Sequence, residues 1–282
     1  MGKFFNSSVI TPLVKASAQD SAFVTGDLVF DWTAFDIPKG AARVLGATIT
    51  YRRNKVASQV AGIDLLFARD VGTNTALTSL GTPNAGVGVS NYADAASNVI
   101  GALYSSNGDI HPAVATAAAF QTSGASGGAP SSIVLEPNTN TASGVNAGYD
   151  RYYVAGMAAG GLDLRSLVAL DAGVDVSGED GTITDLDGTA PNVVFAAGDI
   201  LHVQDDIILG EVASLDADNI VFKFDGSTST NHAVVAGNQS YTVPADIAAW
   251  RIQNGAGAAG DLANNDLVYN IYPLRIFLHL ER

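Results

Sequence analysis

The chain has no cysteine among its 282 residues. Disulfide staples, thiolate nucleophiles and Cys-based metal sites are therefore excluded. Charge is scarce as well. Asp, Glu, Lys and Arg make up 15% of the residues, against roughly 25% in ordinary globular domains. Only 14 residues are basic, and Arg52 and Arg53 are the only adjacent pair of bases. Phosphate recognition needs clustered bases that release counterions, so nucleic acid is not expected as a partner. An anionic membrane surface is excluded on the same ground. No run approaches the ~18 apolar residues of a membrane span. The opening Met1-Gly2-Lys3-Phe4-Phe5-Asn6-Ser7 has too few apolar residues for a signal peptide and misses the myristoylation pattern at Asn6. A protein made and folded in a cytoplasm without processing is the expectation.

What is present is a core. Apolar residues make up 47%, enough for a large folded body. Small neutral side chains take the place of charge. Such a surface loses little side-chain entropy when a partner covers it, which suits a protein that is partly buried in an assembly. The net charge of −14 is concentrated in one segment. The window 163–218 holds 13 of the 28 acidic residues and a single base, Arg165. This segment reads as a solvated outer surface.

Period-two apolar patterns dominate. Leu274, Ile276, Leu278 and Leu280 fall on one face and Arg275, Phe277 and His279 on the other, the pattern of a half-buried strand. Further strands are expected over 27–35, 44–53, 62–69, 131–136, 150–157, 192–197, 199–204, 206–213, 219–225, 240–243 and 247–252. Their spacing, with turn residues between, predicts a mainly β protein: an antiparallel β-sandwich or jelly-roll-like fold with long loops and a few short helices. Helices are expected over 92–104, from three-four spacing, and over 112–120, opening at Pro112. Gly- or polar-rich loops are expected over 70–91, 121–130, 137–149 and 253–266. Residues 1–20 read as an N-terminal arm and 21–282 as a β-rich body. Within it, Ala158-Ala159-Gly160-Gly161 marks a break between two β lobes near 158–162.

No motif supplies a catalytic group. Gly124-Ala125-Ser126-Gly127-Gly128 fits G-x-S-x-G, but that chemistry needs a strand leading in and a helix following, and neither is expected. The stretch from Asp175 to Gly188 offers carboxylates on a turning backbone, with Asp180, Asp185 and Asp187 as candidate ligands. Calcium takes several oxygen ligands on such a turning backbone, although no Glu closes the loop at EF-hand spacing. A solvated acidic loop or hairpin is the preferred reading, and no cofactor is expected. Asp205-Asp206 are read as the ends of a turn. His111, His202, His232 and His279 lack metal-ligand spacing. Phe30, Trp32, Phe35, Tyr152, Tyr153 and Trp250 sit in strand runs and read as core.

The stretch FDWTAFDIPKGAARVLGATITYRRN (30–54), followed by GIDLLFAR (62–69), resembles virion structural proteins of tailed phages of marine bacteria. Those chains are similar in being Cys-free, low in charge and β-rich, with an early I-P-K/R-G-A turn between two strands. Here that turn is Ile37-Pro38-Lys39-Gly40-Ala41. The resemblance is close over about the first quarter of the chain and compositional beyond it. It implies a non-enzymatic decoration or cement protein on the capsid surface. The implied partners are the major capsid protein and further copies of the chain, a trimer being favoured. A tail-fibre or spike receptor-binding protein is the alternative, and a β-sandwich carbohydrate-active enzyme the third reading.

Overall fold

The computed structural model describes residues 5–14, 16–19, 21–52, 61–69, 77–105, 110–114, 118–123, 133–137, 147–164, 167–169, 174–177, 180–183, 195–203, 207–216, 219–223, 232–236, 239–243, 267–270 and 273–282. The protein is mainly β and its sheets are antiparallel. One sheet contains β1 (Phe5–Ile10), β3 (Ala42–Arg52), β6 (Ile110–Val114), β7 (Ala118–Ser123), β8 (Val134–Leu135) and β19 (Leu274–Glu281). Its order is β1-β19-β3-β7-β6, with β8 also on β3. A second sheet contains β2 (Leu28–Ile37), β4 (Ile63–Ala68), β5 (Val99–Leu103) and β9 (Asp150–Ala158), in the order β2-β9-β4-β5.

The two sheets enclose one core. Val44, Ile49, Leu274, Ile276, Leu278 and Leu280 come from the first, and Phe35, Ile37, Ile63, Leu65, Phe67, Tyr152 and Val154 from the second. Strand β19 is buried at every second residue, as its sequence alternation predicts. At the centre Phe67 stands edge-on to Phe35, with ring centroids 6.3 Å apart and planes at 87°, an arrangement that aromatic quadrupoles favour.

The second sheet is covered on its outer side too. Residues 77–99, which include the short helix α1 (Val89–Ala95), lie over it. Leu80 and Ala95 pack with Leu28, Leu66 and Ala155 to make a small second core. This explains why β4 is buried on both faces. The strap is fastened by Leu28 N–H to Ala85 O at 2.9 Å, Asn84 N–H to Leu28 O at 2.8 Å and the Trp32 indole N–H to Thr78 O at 3.1 Å.

A third sheet uses only residues between 167 and 270. It is built from β10 (Leu167–Ala169), β11 (Val174–Ser177), β12 (Asp180–Ile183), β13 (Ile200–Val203), β14 (Ile207–Leu215), β15 (Ile220–Lys223) and β18 (Leu267–Asn270), in the order β10-β18-β13-β14-β15-β12-β11. Strands β16 (His232–Ala236) and β17 (Gln239–Val243) form a two-stranded sheet of their own. Sheet membership thus changes after Leu164. Around residues 158–162 the chain still packs with the first two sheets: Ala158, Leu162 and Leu164 are in their shared core, and Phe23 and Leu162 exchange backbone hydrogen bonds of 2.8 and 3.1 Å.

Several expectations are corrected. Of the arm expected over 1–20, the described residues 5–14 and 16–19 are part of the body. Strand β1 pairs with β19 along its whole length, and Ile10, Val14 and Ala18 are buried in the main core. The helix expected over 92–104 ends at Ala95, and Val99–Leu103 pairs with β4 instead. The helix expected over 112–120 is replaced by the paired strands β6 and β7. Ser123 ends β7, so a strand does lead up to Gly124, and 121–123 are not loop. Gly124 to Gly128 lie outside the described residues, as do 247–252 and 253–266. The strand expected over 192–197 is, from Phe195 on, a turn that precedes β13.

Candidate functional site

Asp27 and Asp199 sit in two corners of the same construction. Phe23-Val24-Thr25-Gly26-Asp27-Leu28 leads into β2, and Phe195-Ala196-Ala197-Gly198-Asp199-Ile200 leads into β13. In the first, Asp27 Oδ2 accepts the Val24 N–H at 2.7 Å, and Asp27 N–H donates to Val24 O at 3.0 Å. In the second, Asp199 Oδ2 accepts the Ala196 N–H at 2.7 Å, and Asp199 N–H donates to Ala196 O at 3.1 Å. The glycines have φ of 88° and 87°, a conformation that side-chain-bearing residues avoid. Each corner is then clipped to a neighbouring strand: Gly26 and Asp27 to Ala158, Gly198 and Asp199 to Val212, by hydrogen bonds of 2.8 to 2.9 Å. Both phenylalanines are buried. A polar clamp faces the turn and an apolar anchor faces the core.

Four further described aspartates are engaged in a similar way. Asp31 Oδ1 accepts the N–H groups of Trp32 and Leu80 at 2.8 and 3.1 Å, which fixes the bulge in β2 against the strap. Asp64 Oδ1 accepts from Ser105 N–H at 2.8 Å. Asp216 Oδ1 accepts from Asn219 N–H at 2.8 Å in the β14–β15 turn. Asp36 and Arg151 are cross-strand partners and form a two-pronged ion pair of 2.8 and 3.2 Å. That hydrogen bond raises the Arg151 pKa further above its ordinary value.

The turn Ile37–Ala41 carries the chain from one sheet of the sandwich to the other. It is held from both sides. Asp150, fully buried at the start of β9, accepts the Gly40 N–H at 3.2 Å through Oδ2. The Arg282 guanidinium donates to Lys39 O at 2.5 Å. Beside the turn lies a hollow of about 360 Å³ lined by Ala41, Ala42, Arg43, Val134, Glu281 and Arg282. Tyr152, two residues after Asp150, donates its hydroxyl to Glu136 O. Burial, reinforced by the Asp150 charge, pushes the Tyr152 pKa up to about 12.

The candidate ligands are not brought together by any described contact. Asp180 opens β12, with its backbone in register with Ser177 and Lys223. Strands β11 and β12 pair antiparallel over Val174–Ser177 and Asp180–Ile183. Asp185 and Asp187 lie outside the described residues. So do Asp205 and Asp206, in the connection between β13 and β14. Among the described residues no three His, Asp or Glu side chains cluster as for a metal ion. His111, His202, His232 and His279 all fall in strands, and His279 Nε2 lies 2.9 Å from Thr48 Oγ1. The solvated reading of the acidic segment needs correction in two places: Asp163 is 2% and Asp199 6% exposed. Phe30, Phe35 and Tyr152 are core residues as expected, while Trp32 packs against the smaller core and Trp250 lies outside the described residues. Sequence reading missed the paired Phe-x-x-Gly-Asp corners. Their signal was an identical triple of residues 172 positions apart (Phe23 to Phe195), which a search for a fixed period passes over.

No protein-family model and no curated protein matches this chain. Among the described residues, no helix is long and apolar enough to cross a membrane.

Proposed function

We propose that this chain is a non-enzymatic structural protein of a tailed-phage virion, a decoration or cement protein that binds the outside of the capsid and stabilises the head. Its partners in this reading are the major capsid protein and other copies of itself. It is made in the host cytoplasm and ends on the particle surface. The observation that carries the reading is the use of the carboxylates. Seven described aspartates, Asp27, Asp31, Asp36, Asp64, Asp150, Asp199 and Asp216, each hold a backbone N–H or an arginine. Acidic groups tied into turns and strand pairs act as architecture, whereas proton transfer asks for a carboxylate aimed into an open cleft. A surface of small neutral residues supports the same reading. So does the turn Ile37–Ala41, which carries the resemblance to phage virion proteins and is clamped by Asp150 and Arg282.

Weak contacts repeated over a lattice add through avidity. The test is therefore the copy number and position of the protein in purified particles. On the order of hundreds of copies per particle, on the head, is the expected result for a repeated lattice contact. A few copies at the tail would replace the proposal with the fibre reading. Turnover of a polysaccharide that is lost on changing one Asp or Glu would replace it with the enzyme reading.

A further inference from the structure

The strap over the second sheet is held far more lightly than the sheet itself. Among the described side chains of 77–98, only Leu80 and Ala95 are buried. They pack on Leu28, Leu66 and Ala155, with Trp32 and Val87 partly buried beside them. No residue of 77–98 belongs to the main core. By contrast, β4 buries five of its six residues and β19 buries every second one. The attachments are local too. Leu28, Asp31 and Trp32 of β2 hold Ala85, Asn84, Leu80 and Thr78, and the Asn84 side-chain amide reaches Ser21 just before that strand. The bonds made by the Trp32 indole and the Asn84 amide are open to water.

Segments with few buried apolar groups and water-exposed hydrogen bonds open at lower free energy than a core. We infer that residues 77–98 open as a unit while the sandwich stays folded. Opening uncovers Leu28, Leu66 and Ala155, an apolar strip on the outer face of the second sheet. The two separate cores make this possible: lifting Leu80 and Ala95 dismantles the smaller one and leaves the contacts of the larger one in place. The inference rests on the packing of this segment and does not depend on the virion reading.

Hydrogen–deuterium exchange on the full chain, in urea below the unfolding transition, tests it. The Leu80 and Asn84 amides are expected to exchange through an opening that urea hardly changes, and the amides of β9 and β19 through one that urea strongly promotes. The Leu28 amide is diagnostic. It belongs to β2 but donates to Ala85 O, so it should exchange with the strap. I276V weakens the main core at a fully buried position. It should speed exchange in β9 and β19 by roughly two- to tenfold and leave Leu80 and Asn84 unchanged. An added methyl meets nothing within 4 Å at Gly86 and only Asn91, at 3.7 Å, at Gly88. G86A and G88A therefore restrict the open strap without straining the closed one, and each should slow the Leu80 and Asn84 amides about two- to fivefold. Strap amides that follow β19 in urea overturn the inference. So do strap amides that speed up with I276V, or that G86A and G88A fail to slow.

Discussion

Removing the Asp27 carboxylate tests whether the corners are as important as their geometry implies. In D27A the Val24 N–H loses the acceptor that lies 2.7 Å away in a part-buried site. An orphaned donor of this kind costs about 1–3 kcal/mol. Asn keeps an amide oxygen in the same place, so D27N is expected to lose less than half as much. G26A tests the other component. Nothing lies within 4 Å of the added methyl, so its cost is that of holding an L-residue at φ 88°, roughly 1–2 kcal/mol. The equivalent pair, D199A and D199N, should repeat the pattern in the third sheet. D27A and D199A share no partner and should add to within about 0.5 kcal/mol. Urea unfolding followed by tryptophan fluorescence, in a W250F background so that Trp32 alone reports, measures the first corner. Far-UV circular dichroism measures both. The clamp argument is refuted if D27A falls within about 0.5 kcal/mol of the parent, the range of ordinary surface changes, or if D27N is as damaging as D27A.

Two further outcomes follow from the core. G156A would put a methyl into the Phe30 ring, 2.6 Å from Cζ. Overpacking of this kind costs about 1–3 kcal/mol, and F30L should recover part of the loss in thermal melts. Tyr152 should make the protein sensitive to alkali. Its folded pKa of about 12 lies above the ordinary 10, so the folded state holds the phenol proton more tightly. Stability is then complete below pH 10 and falls as pH rises towards 12. Y152F should flatten that part of a stability–pH profile, and a tyrosinate absorbance titration that ends near 10 with no late component would contradict it.

The strands that sequence reading located are those in which local pattern and tertiary demand agree. The period-two alternation of β19 and the apolar runs of β2, β3, β4 and β9 are dictated by one shared core, and each was legible. The failures occur where the two demands part. Residues 112–120 are rich in Ala, and helix propensity is worth only tenths of a kcal/mol per residue. Pairing of β7 with β3 along Ala47–Arg52 outweighs it. Residues 92–104 satisfy three-four spacing throughout, yet the β-branched Val99 and Ile100 begin a strand because β4 offers an open edge there. The buried state of Asp163 and Asp199 was illegible for a different reason. A carboxylate that will clamp a turn and one that will meet water have the same letter, and only the position of the neighbouring N–H groups separates them.

The topology has a consequence for how the molecule comes into being. Strand β19 sits between β1 and β3, and it is the last of the three to be synthesised. While a ribosome makes the chain, the first sandwich therefore waits with a gap in the middle of its larger sheet, and the intervening 167–270 segment emerges ahead of the strand that fills it. Pairings between such distant parts of a chain form slowly. A nascent chain arrested before Leu274 would expose the edges of β1 and β3 that β19 covers, so closure of this sheet waits for the arrival of β19.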